Sequence, residues 1–350
     1  MKNNRLTVAL GWTALSLSVY FYGCKPKEPE VILPDTSALT KVSMPTVPTT
    51  QPTVATSTVG AIAPSAASTN AITSIVGTTV NQAVEQAQTV TATILGTSGN
   101  AAQINQGFTD AVVTNFANTG TLPAALETQI NSIVNNPAFA PYLPLITNPT
   151  VNGVAVSSIK QEVASNESIL DVPEAFATAA TSNEACFAAA KLVFDQKLAE
   201  ITTSRDQQLA AVNASFTTRQ TAINAAAASC STSTTQTRNT RLADAQAART
   251  AALAAVNTLL TSNRINATFA ANLRVFINAN LVSTVRGILA LDAREKSRCE
   301  RVRTADLASA TTVRNNDSAA INNAFSTARN TLSTANEAAV QVCHNQGSGN

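Results

Sequence analysis

Hydrophobic positions recur every three or four residues along most of the chain. Ile72, Val76, Val80, Ala83, Ala87, Val90 and Ile94 form one stripe, ended by Gly96. Ile104, Phe108, Val112 and Phe116 form a second, and Pro123 opens a third helix carrying Leu126, Ile130 and Ile133. "NPAFAPYLPLITNP" then breaks the period with four prolines, and "SIKQEVASNESIL" predicts one more short helix. Packing is the expected use of Phe139 and Tyr142 in the proline-rich stretch. Beyond Pro173 the pattern lengthens. No proline occurs between Pro173 and Cys343, and Gly287 is the only glycine before the tail. One stripe runs through Phe187, Phe194, Leu198, Ile201, Leu209, Val212, Phe216 and Ile223. Others run through Phe269, Leu273, Phe276, Val285 and Ile288, and through Val302, Ala310, Val313, Ile321, Phe325, Leu332 and Ala339. Stripes of this length predict long amphipathic helices.

The segment before these helices has no period. "KPKEPEVILPDTS" and "SMPTVPTTQPTVATSTV" are rich in Pro, Thr and Ser and read as a disordered tether. The expected organisation is residues 1–23 as a targeting segment, 24–61 as anchor and tether, and 62–173 as a small helical domain. Residues 174–344 are a long helical hairpin or bundle, and 345–350 a disordered tail. The fold class is all-α.

Four cysteines, Cys186, Cys230, Cys299 and Cys343, fall in the long helical region, and an even set in an oxidising compartment reads as two disulfides. The intervals Cys186–Cys230 and Cys299–Cys343 are equal. One unbroken helix over either interval holds its ends about 66 Å apart at 1.5 Å per residue, too far to bond. Two equal antiparallel helices instead bring Cys186 to Cys343 and Cys230 to Cys299. The interval is four elevens, and an eleven-residue repeat keeps both cysteines of a helix on one face. The shared midpoint lies between Arg264 and Ile265, inside "TSNRIN", where Ser262 and Asn263 are turn and cap formers. This nested pairing is favoured. The rival is a pair of local hairpins, Cys186–Cys230 turning at "TTSRD" and Cys299–Cys343 at "RNNDS". Each bridge contributes about 3–4 kcal/mol in either scheme. "CSTSTTQT", from Cys230, is β-branched and polar, so a helix break or kink is expected there; a break would let the elongated hairpin fold back into a four-helix bundle.

The N-terminus adds a location. Lys2 and Arg5 precede an uncharged, mostly apolar run, "LTVALGWTALSLSVYFY", and Gly23 then precedes Cys24. This stretch resembles a bacterial lipoprotein signal peptide. The resemblance covers about thirty residues and implies cleavage before Cys24, with lipid on its thiol and on the new amino terminus. Multiple acyl chains hold a protein on a membrane far better than one. Lys25, following the cysteine where aspartate is absent, implies the outer membrane rather than the inner. The mature chain is then lipid-anchored in the cell envelope, periplasmic or surface-exposed; the rival readings are an uncleaved membrane anchor, for which the apolar run is short, and an ordinary secreted protein.

Charge and chemistry narrow the function classes. From Lys25 to Ala175 there are four lysines against ten acids; from Phe176 on, seventeen basic residues against eleven. His344 is the only histidine and adjoins the tail, so no triad or histidine-based metal site is expected. No metal-binding, phosphate-binding or nucleotide-binding motif appears. No catalytic residue, cofactor, metal, nucleic acid or small-molecule substrate is expected. Arg294, Arg298 and Arg301 share one helical face and form a candidate anion-binding face. Asp292 and Lys296 pair at i,i+4 and Glu295 and Glu300 interleave, which reads as a salt-laced solvent face. Ser262, Asn263 and Arg264 form a candidate partner-contact tip. The expected function is structural or protein-interacting, with a protein partner or self-association. The alternative is an accessory subunit of an envelope export or efflux assembly that docks through the tip.

Overall fold

The computed structural model describes residues 33–96, 100–156 and 184–344. The expected signal segment, Cys24, the helix at "SIKQEVASNESIL" and the tail lie outside the described residues.

The long helices are α7, Glu184–Thr261, and α8, Ala267–His344, of 78 residues each, packed against each other in antiparallel sense. Their junction is built by local chemistry. Asn263 takes φ 53°, its N–H donates to the Leu260 carbonyl, and the Arg264 N–H donates to the Leu259 carbonyl. This is a Schellman closure with asparagine in the left-handed position. Asn266 then caps α8: its side-chain oxygen accepts from the Phe269 N–H at 2.8 Å. Cys186 is bonded to Cys343 and Cys230 to Cys299, the nested arrangement.

The break expected at "CSTSTTQT" is absent, and α7 runs through it. The hydroxyls of Thr232 and Thr235 donate back to the Ala228 and Ser231 carbonyls, four residues earlier. They are therefore satisfied within the helix rather than competing with it. Thr234 is buried against Cys299.

Two compact units share these helices. The described residues of the first are 33–49, 184–213 and 315–344. Its core gathers Ile201, Ala328, Leu332 and Ala339 of the long helices with Leu39 and Val42 of the Thr/Pro segment. Leu39 sits on a single-turn helix, α1, Ser37–Thr40, and is fully buried. Gln208 clasps the same segment, accepting from the Val47 N–H and donating to the Pro45 carbonyl. Much of the stretch expected as a tether is thus laid along the helices. The Arg205 guanidinium lies 4.5 Å over the Phe325 ring.

The second unit comprises residues 50–96, 100–156 and 214–314. Its short helices are α2, Ala66–Val76; α3, Gln82–Leu95; α4, Ala101–Gly107; α5, Asp110–Thr119; and α6, Ala124–Val134. Where one stripe ran from Ile72 to Ile94, the chain turns at residues 77–81: Thr78 takes φ 50° and Asn81 caps α3. The buried set is accordingly Ala71 and Ile75, then Val84, Ala87 and Thr91, while Val76 faces outward. Thr109 likewise caps α5 and splits the second stripe.

Among the described residues, five short strands occur where the Pro/Thr-rich stretches meet. β1, Ser57–Thr58, pairs antiparallel with β4, Thr150–Val151, which pairs with β5, Val154–Ala155; β2, Ala61–Ala63, pairs with β3, Leu145–Thr147. Asn152–Gly153, both at positive φ, makes the two-residue turn between β4 and β5. Between α6 and β3, a 3-10 turn at Pro137–Tyr142 places Phe139 and Tyr142 against Phe276 of α8, with Tyr142 edge-on at 5.1 Å. Burial raises the Tyr142 phenol above its ordinary pKa. The first half of α8 is the centre of this unit: Leu273, Phe276, Val282, Val285 and Leu291 are fully buried. The helix contains an 18-residue window with mean hydropathy 1.2, long and apolar enough to cross a membrane, and 67% of that window is buried in the protein.

The cap yields a measurable expectation. Asn266→Ala should lower unfolding free energy by about 1 kcal/mol, read by urea denaturation, whereas substitution of the neighbouring exposed Thr268 by Ala should change it by less than about 0.5 kcal/mol.

Candidate functional site

Within the second unit, α7 and α8 are joined by Cys230–Cys299, and charged side chains crowd beside that bridge. Cys299 must face inward, so residues one and two turns earlier on α8 face inward too. Glu295 and Asp292 occupy those positions and are only 6% and 9% exposed. Glu295 accepts from Arg298 Nε at 2.6 Å through one oxygen and from the Gly60 N–H through the other. Arg298 also donates to Ser57 Oγ and to Cys230 Sγ, and its side chain is 12% exposed. Glycine is required at position 60, because a Cβ there would lie 2.7 Å from the Thr147 carbonyl and 2.5 Å from Leu291 Cδ1. The missing side chain lets the backbone reach Glu295.

Asp292 is less completely satisfied. Its Oδ2 accepts from Lys296 Nζ at 2.8 Å and lies 3.9 Å from Arg238 Nη1. Its Oδ1 is buried with no hydrogen-bond partner. Asp292, Glu295, Arg238, Arg241 and Arg298 line a cavity of about 200 Å³. A second cavity of about 450 Å³ lies between α2 and α7 over a floor of α8, with Ile62, Ile72, Ile277 and Leu281 in its walls. Arg241 and Ile288 line both. Arg241 donates to the Gly60 carbonyl at 3.5 Å and enters none of the ion pairs of the described residues.

A separate buried polar link spans α7, α8 and the start of α5. Arg249, 8% exposed, donates to Asn278 Oδ1 at 2.8 Å and to the Phe108 carbonyl at 3.0 Å. Burial lowers the guanidinium pKa from its ordinary value, against the opposing charge of Asp110. Asp110 itself is fully exposed and 3.8 Å away, so the neutral acceptors hold Arg249 in place.

Arg294, Arg298 and Arg301 lie on one face of α8, and their side chains are engaged with the protein. Arg298 is turned into the cavity, Arg294 donates to Asn148 at 2.7 Å, and Arg301 is half-buried and engaged. Only part of that surface is solvated: Lys296, Glu300 and Arg303 point outward, while Asp292 and Glu295 do not. Arg303 holds the Glu300 carboxyl below its ordinary pKa through a direct hydrogen bond. At the tip, Ser262, Asn263 and Arg264 are exposed. Ser262 donates to the Thr258 carbonyl, and Arg264 reaches the Thr78 carbonyl at 2.9 Å. Among the described residues, no three or more His, Cys, Asp or Glu side chains are grouped to hold a metal ion.

No family model matches the chain, and no curated protein or solved structure resembles it significantly.

The buried ion pair has a testable consequence. Glu295→Gln keeps the size but loses the charge that pairs Arg298, and should lower unfolding free energy by about 2–3 kcal/mol. A change below about 0.5 kcal/mol in chemical denaturation would show that the pair is solvated.

Proposed function

We propose that this chain is a lipid-anchored cell-envelope protein with a structural or protein-interaction role and no catalysis. One observation carries the reading: two long helices of low aromatic content are braced by a disulfide in each unit. Disulfides of this kind persist outside the reducing cytoplasm. An export signal ending at Cys24 would deliver the chain to such a compartment, and acylation of Cys24 would hold it there. The bridges serve stiffness in this reading: each closes a long loop of chain, of 157 and 69 residues in separation, and so restricts the unfolded state.

A partner surface is the remaining requirement. In the first unit, Leu192 of α7 is 60% exposed and Val342 of α8 is 41% exposed. Such side chains are candidates for contact with a protein partner or a second copy. At the tip, Ser262 and Arg264 are already committed to the carbonyls of Thr258 and Thr78. Docking of an export or efflux assembly there would have to compete with the Arg264 contact, so the scaffold reading is preferred.

Metabolic labelling with palmitate in a bacterial host tests the anchor. The wild-type chain should carry label and sediment with envelope membranes, and Cys24→Ala should lose the label. Labelling that persists in Cys24→Ala contradicts the proposal.

A further inference from the structure

We propose that the paired cavities of the second unit bind a single-chain amphiphile, its hydrocarbon between α2 and α7 and its phosphate-type anionic headgroup at Arg241. The larger cavity, about 450 Å³, is of the size used for small-molecule sites; Ile62, Ile72, Ile277 and Leu281 give it a mostly apolar wall, which Asp244, Arg249 and Asn280 also enter. Hydrocarbon is the occupant such walls favour, because each methylene that enters leaves water. The smaller cavity, about 200 Å³, shares Arg241 and Ile288 with the larger and carries the charged side chains of Arg238, Arg241, Arg298, Asp292 and Glu295 in its lining. An occupant of both must therefore be apolar at one end and polar at the other.

The sign of the headgroup follows from the side chains around it. Arg238, Arg241 and Arg298 line the smaller cavity together with Asp292 and Glu295, and with Asp244 and Arg249 of the larger cavity counted as well the lining keeps one positive charge in excess. Glu295 is consumed by Arg298 and the Gly60 N–H, and Asp292 Oδ2 by Lys296. Arg241, whose contact to the Gly60 carbonyl is long, is the cation best placed to take an anion. Asp292 Oδ1 adds a second requirement. It is a buried acceptor without a donor, so a headgroup that also donates a hydrogen bond fits better than one that only accepts. A phosphate monoester in its monoanionic form does both: its oxygens accept from the guanidinium, and its P–OH donates to Asp292 Oδ1. A carboxylate lacks the donor, and a quaternary ammonium meets the wrong charge. The shared chemistry is an alkyl phosphate, and free phosphate presents the same headgroup without the chain.

Calorimetric titration of the full chain with dodecyl phosphate, below its critical micelle concentration, tests this directly. Saturable one-to-one binding is expected, with dodecanoate weaker and dodecyltrimethylammonium and inorganic phosphate silent over the same range. Arg241→Gln should weaken binding at least about tenfold, while Arg241→Lys retains part of it. Thr69→Trp, at an exposed position on the rim of the larger cavity, should block the chain without disturbing the core; circular dichroism checks that its helices persist. Three results would overturn the assignment. These are no saturable binding of dodecyl phosphate, equal binding by folded Arg241→Gln, or equal binding of the trimethylammonium amphiphile. Saturable binding of inorganic phosphate alone would reduce the site to a phosphate site and also overturn the role of the larger cavity. None of these outcomes depends on acylation at Cys24.

Discussion

An interface between helices rich in alanine and threonine removes little apolar area per turn, so α7 and α8 could slide or splay if packing alone held them. Three local devices fix their register. The Schellman closure at Asn263 with the Asn266 cap joins the helices at one place, and a disulfide ties them within each unit. With the register fixed, the first half of α8 is buried all round, and Leu273, Phe276, Val282 and Val285 point to different sides of it within the second unit. The short helices α2 to α6 and the Pro137–Tyr142 turn share one core with Leu273, Phe276, Val282 and Val285 of that helix. In the first unit the paired helices offer Ile201, Ala328 and Leu332 to Leu39 and Val42.

Much of this was legible in the sequence because it is set by spacing. Equal cysteine intervals allow two antiparallel helices of equal length with nested bridges, and their shared midpoint falls on residues able to cap and turn. The differences have local causes in the helices and a long-range cause in the Thr/Pro segment. "CSTSTTQT" has poor helix propensity, yet its hydroxyls bond carbonyls four residues back and the helix continues. The Thr/Pro segment has no period of its own. Its strands are only two or three residues long and exist by pairing with residues about ninety positions away, a distance at which no local pattern can speak. The Ile72–Ile94 stripe was a coincidence of spacing across a turn, since Gly77 and Asn81 interrupt the helix that periodicity alone would continue.

The site was less legible for a related reason. Asp292, Glu295 and Lys296 look alike in sequence, as alternating charges on one helix. What separates them is their angle from Cys299, and the buried bridge dictates that angle; residues at −4 and −7 from Cys299 turn inward, and Lys296 does not. That signal was available. The contributions of Gly60, Ser57 and Arg241 were not, because they come from distant segments that meet only in the folded unit. The cavities likewise arise between elements, α2 on one side and α7 and α8 on the other, and no motif announces them.

The register of α7 against α8 is the claim on which the core, the cavities and the inferred role all stand. Proteolysis of the oxidised chain without reductant, followed by mass spectrometry of the linked peptides, reads it directly. The account predicts one species joining the peptides of Cys186 and Cys343 and another joining those of Cys230 and Cys299. A species joining Cys186 to Cys230 would contradict it, since one continuous helix cannot bring those two sulfurs together.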